Sequence, residues 1–181
     1  MAQKKPVKKS KKPLTSSMED YLEAIFEINK EKSFVRVKDI AKKMNVKMPT
    51  VTSMLKNLRD RELVKYEKYE FVELTRSGAN IGREMRRRHD VLLSFLMDIL
   101  RIDHETADDE ACKMEHTLSV STLQRFIDFM DFIQVCPRAG EEWLNQFEEY
   151  RKSGKKLGKC LDETSDRACE VVERHLKAKK S

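Results

Sequence analysis

The chain has 181 residues, of which 38% are charged and 39% are hydrophobic, and its formal net charge is +6. That length allows one or two small domains. Five glycines and four prolines are few for an all-β protein, and charged residues interrupt every apolar run. We therefore expect a mainly α, cytoplasmic protein that has neither a transmembrane helix nor a signal peptide and does not bind a membrane.

The first 13 residues are strongly basic. They contain six lysines and no acidic residue, which accounts for the whole net charge of the chain. A block of like charges is typical of a disordered tail. Its lysines are either simply solvated or add a salt-sensitive attraction to nucleic acid.

The first predicted helix begins at residues 16–19, Ser-Ser-Met-Glu, which have the spacing of a capping box. An apolar stripe that includes Leu22 and Ile25 follows at helical spacing. The opposite face carries Asp20 and Glu23, three residues apart near the helix start. These two carboxylates are interpreted either as part of an ordinary solvated face or as two hard metal ligands.

A winged helix-turn-helix is predicted next. A short extended segment is predicted at 34–37, followed by a helix at 38–44. A tight turn then leads to a second helix, which Pro49 opens. Two strands at 63–67 and 71–74 then form a hairpin, the wing. The second helix exposes polar groups that can bond base edges or phosphates, although an ordinary polar surface has the same composition. The candidate DNA-binding residues are Lys38, Pro49, Thr50, Thr52, Ser53, Lys56, Asn57, Lys68 and Tyr69.

A long helix is predicted from about residue 75 to 100, with His89 at the edge of its buried stripe, as a structural residue or a ligand. The next predicted helix carries Cys112, Glu115 and His116. Because residues three and four apart share a helix face, a thiol, a carboxylate and an imidazole should project to one side. This mixture of donors suits a transition metal. Three donors do not complete a six-coordinate site, so other parts of the chain must supply more.

The remaining sequence is also predicted to be helical. Ser119 should cap a helix rich in large apolar side chains, part of which could be buried against a second copy of the chain. Further helices are predicted at 141–152 and 157–179. The four cysteines are widely spaced and form no CxxC pair, which indicates reduced cytosolic thiols rather than a structural zinc site.

Taken in order, these elements resemble the diphtheria toxin repressor family of metal-dependent regulators, which includes a manganese-sensing branch. The resemblance rests on the winged helix-turn-helix and on three motifs: Ser17-Met18-Glu19-Asp20-Tyr21-Leu22-Glu23, Arg88-His89 and Cys112-Lys113-Met114-Glu115-His116. It covers about Thr15 to Ile133. The domains expected from it are a disordered basic tail at 1–13, a winged helix-turn-helix DNA-binding domain at 14–76, a helical metal-binding and dimerisation domain at 77–135, and a helical C-terminal extension at 136–181.

Carried over residue by residue, the resemblance implies six metal ligands: Asp20, Glu23, His89, Cys112, Glu115 and His116. Asp20 and Glu23 are what the manganese branch has, whereas Cys112 is what the iron branch has. Two positions of the iron branch's second metal site hold Leu93 and Asp108 here, so we expect no second site of that type. One thiolate favours Fe(II) and three carboxylates favour harder ions. We expect Fe(II) first and Mn(II) second.

The expected function is metal-controlled repression. A dimer loaded with Fe(II) or Mn(II) would bind palindromic operator DNA and so control metal-ion homeostasis. One alternative is a winged-helix regulator that senses a small organic ligand or thiol oxidation through Cys112 or Cys136. A metal-dependent enzyme is the other, but Glu115 and His116 are adjacent, not three apart as in di-iron carboxylate bundles. The sequence shows no separate general base or small-molecule substrate pocket.

Overall fold

The structure is a computed structural model that describes residues 13–67, 71–136 and 140–153. In this part the chain is mainly helical, as predicted, with one two-stranded antiparallel sheet. The helices are α1 Ser16–Glu31, α2 Val37–Lys43, α3 Met48–Asp60, α4 Arg76–Ser94, α5 His104–Glu115, α6 Val120–Val135 and α7 Glu141–Ser153. The strands are β1 Val64–Lys65 and β2 Glu73–Leu74. None of the described helices is long and apolar enough to cross a membrane.

The chain forms two compact units, divided between Arg87 and Arg88. This division lies inside α4, whereas the sequence placed the end of the DNA-binding domain at residue 76, where α4 begins. The first unit therefore contains α1, α2, α3, the sheet and most of α4. The second contains the end of α4 and the helices α5, α6 and α7.

Helix α1 begins one residue earlier than the predicted capping box requires. Thr15 is the N-cap, with an extended backbone at ψ 153°, and its Oγ1 accepts a hydrogen bond from the backbone N–H of Met18 at 3.3 Å. The predicted cap at Ser16 is wrong because Ser16 already belongs to the helix. The predicted stripe is confirmed, since Leu22 and Ile25 are completely buried.

The helix-turn-helix is confirmed. Helix α2 begins at Val37, which the sequence placed in an extended segment, because Asp39 accepts a hydrogen bond from the Arg36 backbone N–H at 3.2 Å and so stabilises the start of the helix. The turn to α3 passes through Asn45, whose φ is +52°. Asparagine is one of the few residues that adopt this left-handed conformation readily. Pro49 lies in the first turn of α3, as predicted.

The wing is shorter than predicted. Among the described residues of the wing, Val64 pairs with Leu74 and Lys65 pairs with Glu73. Val72, predicted to continue the second strand of the hairpin, instead donates its N–H to the carbonyl of Val35 at 2.8 Å. A partner distant in sequence thus takes the hydrogen bonds that local pairing would have used.

The second unit is built around a core of Leu92, Leu96, Ala107, Ala111 and Leu123. The predicted long helix changes after Ser94 into a π-helical turn, Phe95–Ile99, and the N–H of Leu100 bonds to the carbonyl of Phe95 at 3.2 Å. π-Helical segments occur mostly as single turns within or beside α-helices, as this one does at the end of α4.

Side-chain caps define the helices that follow in this unit. Asp103 Oδ1 accepts from the Thr106 N–H at 3.0 Å at the start of α5, and Ser119 Oγ accepts from the Thr122 N–H at 3.1 Å. The second cap confirms the predicted start of α6. The helix predicted at 157–179 lies outside the described residues.

Candidate metal centre and nucleic-acid interface

In the first unit, two candidate ligands lie on α1. Asp20 and Glu23 are half-buried and three residues apart, so they share one helix face. The carboxylate of Glu27, one turn further on, forms ion pairs with Lys43 at 2.6 Å and with Arg86. Glu27 is therefore a structural carboxylate whose charge two neighbouring cations offset.

Helix α1 is held in the first unit by very close contact with α4. A Cβ built on Gly82 would lie 2.5 Å from the carbonyl oxygen of Leu22 and 2.9 Å from the Cβ of Phe26. Glycine is required at this position because any side chain would overlap the backbone of α1. The contact fixes the segment of α1 that carries Asp20 and Glu23.

In the second unit, three predicted ligands come together. His89 on α4 is 6% exposed, and its Nδ1 lies 3.2 Å from Oε2 of Glu115, the last residue of α5. His116 is the C-cap of the same helix, and its Nε2 lies 3.4 Å from Oε1 of Glu115. The structure thus places one carboxylate between two imidazoles.

The burial of Glu115 is unusual for a carboxylate. Its side chain has no exposed surface, and its Oε1 accepts no hydrogen bond from the described residues. A buried ionised carboxylate is costly unless hydrogen bonds or a counter-charge compensate for the lost hydration. Nitrogen and oxygen donors around an unsatisfied buried anion match the coordination chemistry of a divalent transition metal. The residues of this unit therefore fit such an ion.

Arg88 anchors the end of α5, a role that the sequence did not predict. Its Nη1 donates to the carbonyl oxygens of Glu115 at 3.1 Å and Leu118 at 3.2 Å. The Glu115 carbonyl ends α5 and the Leu118 carbonyl lies beyond it, where intrahelical donors are no longer available. The guanidinium therefore ties the backbone of the Glu115–His116 pair to α4. The Arg88-His89 dipeptide, one of the motifs of the resemblance, was the available signal.

Cys112 differs from the other predicted ligands. The thiol-bearing residue is exposed, and it lies outside the groups of His, Cys, Asp and Glu donors that come within 4.8 Å of one another in the described chain. The expectation that it shares one side with Glu115 was based on spacing alone. Helix α5 turns Ala107, Ala111 and Glu115 toward the interior, and Cys112 is rotated about 100° from Ala111. Its role as a ligand stays a prediction.

The candidate DNA-binding face lies on α3 in the first unit. Val51, Leu55 and Leu58 are completely buried, which leaves the opposite face of the helix to solvent. Thr52 is half-buried and its hydroxyl donates to the carbonyl of Met48 at 3.1 Å, so this side chain is already hydrogen-bonded inside the helix. The exposed candidates are Lys38, Pro49, Thr50, Ser53, Lys56 and Asn57. Lys68 and Tyr69 lie outside the described residues.

Two family models match the chain. Residues 13–72 match "Iron dependent repressor, N-terminal DNA binding domain", and residues 75–144 match "Iron dependent repressor, metal binding and dimerisation domain". Together they cover both the helix-turn-helix and the helices that carry His89, Glu115 and His116.

Individual relatives agree with these matches. An uncharacterised HTH-type transcriptional regulator of Methanocaldococcus jannaschii is 37% identical over 119 residues, which are 65% of this chain and 95% of that protein. The HTH-type transcriptional regulator MntR of Bacillus pumilus is 38% identical over 120 residues, 66% of this chain and 83% of MntR. The solved structure of the manganese regulator SloR is similar with a TM-score of 0.58 and 33% identity. That match covers 67% of this chain but only 56% of SloR.

Proposed function

Because this chain belongs to the iron-dependent repressor family and is a metal-dependent transcriptional regulator of the diphtheria toxin repressor and MntR type, we propose that it binds palindromic operator DNA as a homodimer when a divalent metal is bound. The family consists of DNA-binding repressors, so the chain is not an enzyme. Repression follows because the bound dimer blocks access to the promoter, and the genes controlled are those of metal-ion homeostasis.

The observation that carries this proposal is the environment of Glu115. A completely buried carboxylate has one oxygen without a hydrogen bond in the described chain, and imidazoles of His89 and His116 lie within 3.2 and 3.4 Å of its two oxygens. The domain that contains this group matches a metal-binding and dimerisation model. A purely structural role for Glu115 does not account for the buried Oε1 atom that has no hydrogen bond in the described chain.

We propose that the complete ligand set adds donors from α1 to those of the second unit. A bound divalent ion supplies the positive charge that carboxylates need in order to converge. Asp20, Glu23 and Glu115 carry like charges, which repel one another more strongly as the surroundings become less polar. Without a cation, α1 is therefore free to move away from the second unit. The proposed ligands are Asp20, Glu23, His89, Cys112, Glu115 and His116.

Holding the α1 carboxylates near the dimer domain would set the position of the DNA-binding unit. Two recognition helices in a dimer must be separated by about one turn of DNA, or a multiple of it, to enter successive major grooves. A coupling free energy of about 1–3 kcal/mol between the metal and DNA sites changes operator affinity about 5- to 150-fold. The exposed polar residues of α3, with Lys38 and the tip of the wing at Lys68 and Tyr69, are proposed to contact the operator.

The surface of α6 supports the homodimer. Phe129 is 42% exposed and Phe132, three residues further on the same face, is 48% exposed in the single chain. Large apolar side chains exposed on one helix are typical of a surface that another chain covers. The sequence had already predicted that part of this helix is buried against a second copy, and the matching domain model is named for dimerisation.

For the identity of the metal, we propose Mn(II) and Fe(II) as the two candidates. The relative SloR is a manganese regulator. The carboxylate oxygens of Glu115 suit Mn(II), and the imidazole nitrogens of His89 and His116 beside them suit Fe(II). The expectation of Fe(II) depends on Cys112, because a thiolate ligand favours softer ions than Mn(II). Replacement of Cys112 by serine therefore discriminates the two: a thiolate ligand predicts a larger loss of affinity for Fe(II) than for Mn(II).

The test is operator binding by the full chain. DNA selected from a random pool in the presence of Mn(II) would be used in gel-shift titrations with Mn(II), with Fe(II) under anaerobic conditions, and with a chelator. We expect tight binding only with metal. The double variant Glu23→Ala, His116→Ala should lose the metal response and keep its fold, whereas Glu31→Ala, which removes an exposed carboxylate at the end of α1, should behave as wild type. Equal affinity in chelator and in metal would refute metal control.

A second candidate function is supported by the exposure of Cys112. An accessible thiol can be oxidised, and a regulator that senses oxidation would bind DNA without metal and release it when the cysteine is modified. Cys112→Ser separates the two functions. Under metal control the variant still responds to Mn(II), whereas under thiol sensing it binds DNA with or without an oxidant.

A further inference from the structure

The imidazole of His89 is held between two carboxylates of α5. Its Nδ1 lies 3.2 Å from Glu115 Oε2, and its Nε2 lies 3.1 Å from Asp108 Oδ1. The ring itself is buried, with 7% of its side chain exposed. An imidazolium could donate to both carboxylates, whereas the neutral ring that binds a metal carries one N–H and one lone pair and can donate to only one of them.

The two carboxylates are not equivalent. The side chain of Glu115 has no exposed surface, and its second oxygen faces His116, whereas the side chain of Asp108 is 57% exposed. A ligand ion that satisfies the buried anion must therefore lie on the Nδ1 side of His89. A histidine that binds a metal through one nitrogen usually donates its other N–H to a carboxylate, a carbonyl or water, which fixes its tautomer and orientation.

We propose that Asp108 is a positioning residue that accepts the Nε2–H of His89, orients the ring and leaves Nδ1 as the atom that binds the metal. This inference is based on the proposed metal-dependent function and assigns a role within that site. Because the Asp108 side chain is 57% exposed, water screens its charge, so its replacement should affect metal binding far more than folding.

The next residue along the helix provides a matched control. Asp109 has the same side chain, is 67% exposed and forms an ion pair with Lys113. It lies on α5 at a comparable exposure, but its carboxylate pairs with a lysine and not with an imidazole. Replacing Asp109 therefore removes the same charge from the same helix without removing the partner of His89.

The first experiment reads the tautomer directly. Nitrogen-15 NMR of the imidazoles in the full-length protein loaded with diamagnetic Zn(II), with His89 assigned by comparison with His89→Gln, should show the Nε2–H tautomer in wild type and in Asp109→Ala. Asp108→Ala should show a mixture of tautomers. A wild-type His89 ring that carries a proton on Nδ1 in this state, as the other tautomer or as an imidazolium, would overturn the assignment.

The second experiment measures Mn(II) binding by the same proteins from the EPR signal of the free ion. We expect Asp108→Ala to lose about 10- to 100-fold in affinity. Asp108→Asn should lose less, because its amide oxygen still accepts the Nε2–H, and Asp109→Ala should match wild type. Unfolding midpoints of the apoproteins should be unchanged.

The outcomes separate this inference from the proposed function. Wild-type protein that binds neither Mn(II) nor Fe(II) contradicts the proposed function itself. Wild-type protein that binds Mn(II), together with an Asp108→Ala variant of the same affinity, contradicts only the role of Asp108. Equal losses in Asp108→Ala, Asp108→Asn and Asp109→Ala would show that total negative charge matters and not a contact at Nε2, which also overturns the proposal.

Discussion

Replacing Gly82 with alanine tests the contact that holds α1 in the first unit. The new Cβ would lie 2.5 Å from the carbonyl oxygen of Leu22 and 2.9 Å from the Cβ of Phe26. The first atom belongs to the backbone of α1 and the second is joined directly to it, so neither can move away by a change of rotamer. Helix α1 must shift with respect to α4 within this unit.

Two opposing effects set the magnitude for Gly82. Overpacking a well-packed interior costs about 1–3 kcal/mol, and contact with a backbone oxygen argues for the upper part of that range. Alanine in a helix interior is more favourable than glycine by about 1 kcal/mol. The Gly82→Ala variant should therefore lose about 1–2 kcal/mol in free energy of unfolding.

Urea unfolding of the apoprotein, followed by circular dichroism, measures this loss for Gly82→Ala. The matched control is Asn80→Ala, an exposed position on the same helix, where alanine gains helix propensity and meets no backbone. We expect the control to be as stable as wild type or slightly more stable. Because α1 carries Asp20 and Glu23, the Gly82 variant should also bind Mn(II) more weakly. A Gly82→Ala protein as stable as Asn80→Ala would refute the close contact.

Three further predictions concern anchoring, the turn and pH. Arg88→Gln should lower the free energy of unfolding by about 1–3 kcal/mol, because it leaves two backbone carbonyls without their donor, and it should weaken Mn(II) binding. The control is Arg87→Gln, since the Arg87 guanidinium pairs only with Glu84 among the described residues. This variant should lower the free energy of unfolding by less. Asn45→Val should cost about 1–2 kcal/mol at a φ of +52° and Asn45→Gly should not, as measured by urea unfolding; equal costs would contradict the left-handed turn. The hydrogen bond from Lys32 holds the pKa of Asp39 below its ordinary value, so its stabilising effect is present above the unfolded pKa, about 3.9, and is lost as the pH falls through the folded pKa. Asp39→Asn should make unfolding less dependent on pH in that acidic range, and an unchanged pH profile would show that the ion pair does not contribute.

The sequence by itself determined the order and type of the elements. Helices α1 and α3 were predictable because apolar residues recur at the helical period and bury the stripe that the pattern marks, as Leu22 and Leu55 show. Ser119 was predictable as a cap because a serine before an apolar run accepts a local N–H. Both signals depend on residues within one or two turns of each other.

Tertiary structure alone decided which side chains meet. Helical spacing placed Cys112 and Glu115 on neighbouring positions, but the packing of α5 buries Glu115 and leaves Cys112 exposed. Likewise, no local pattern marks Asp108 as the partner of His89, or Arg88 as the donor to the end of α5. Periodicity specifies which residues share a helix face. Which neighbouring helix that face turns toward depends on contacts between residues distant in sequence. No local spacing of residues encodes those contacts.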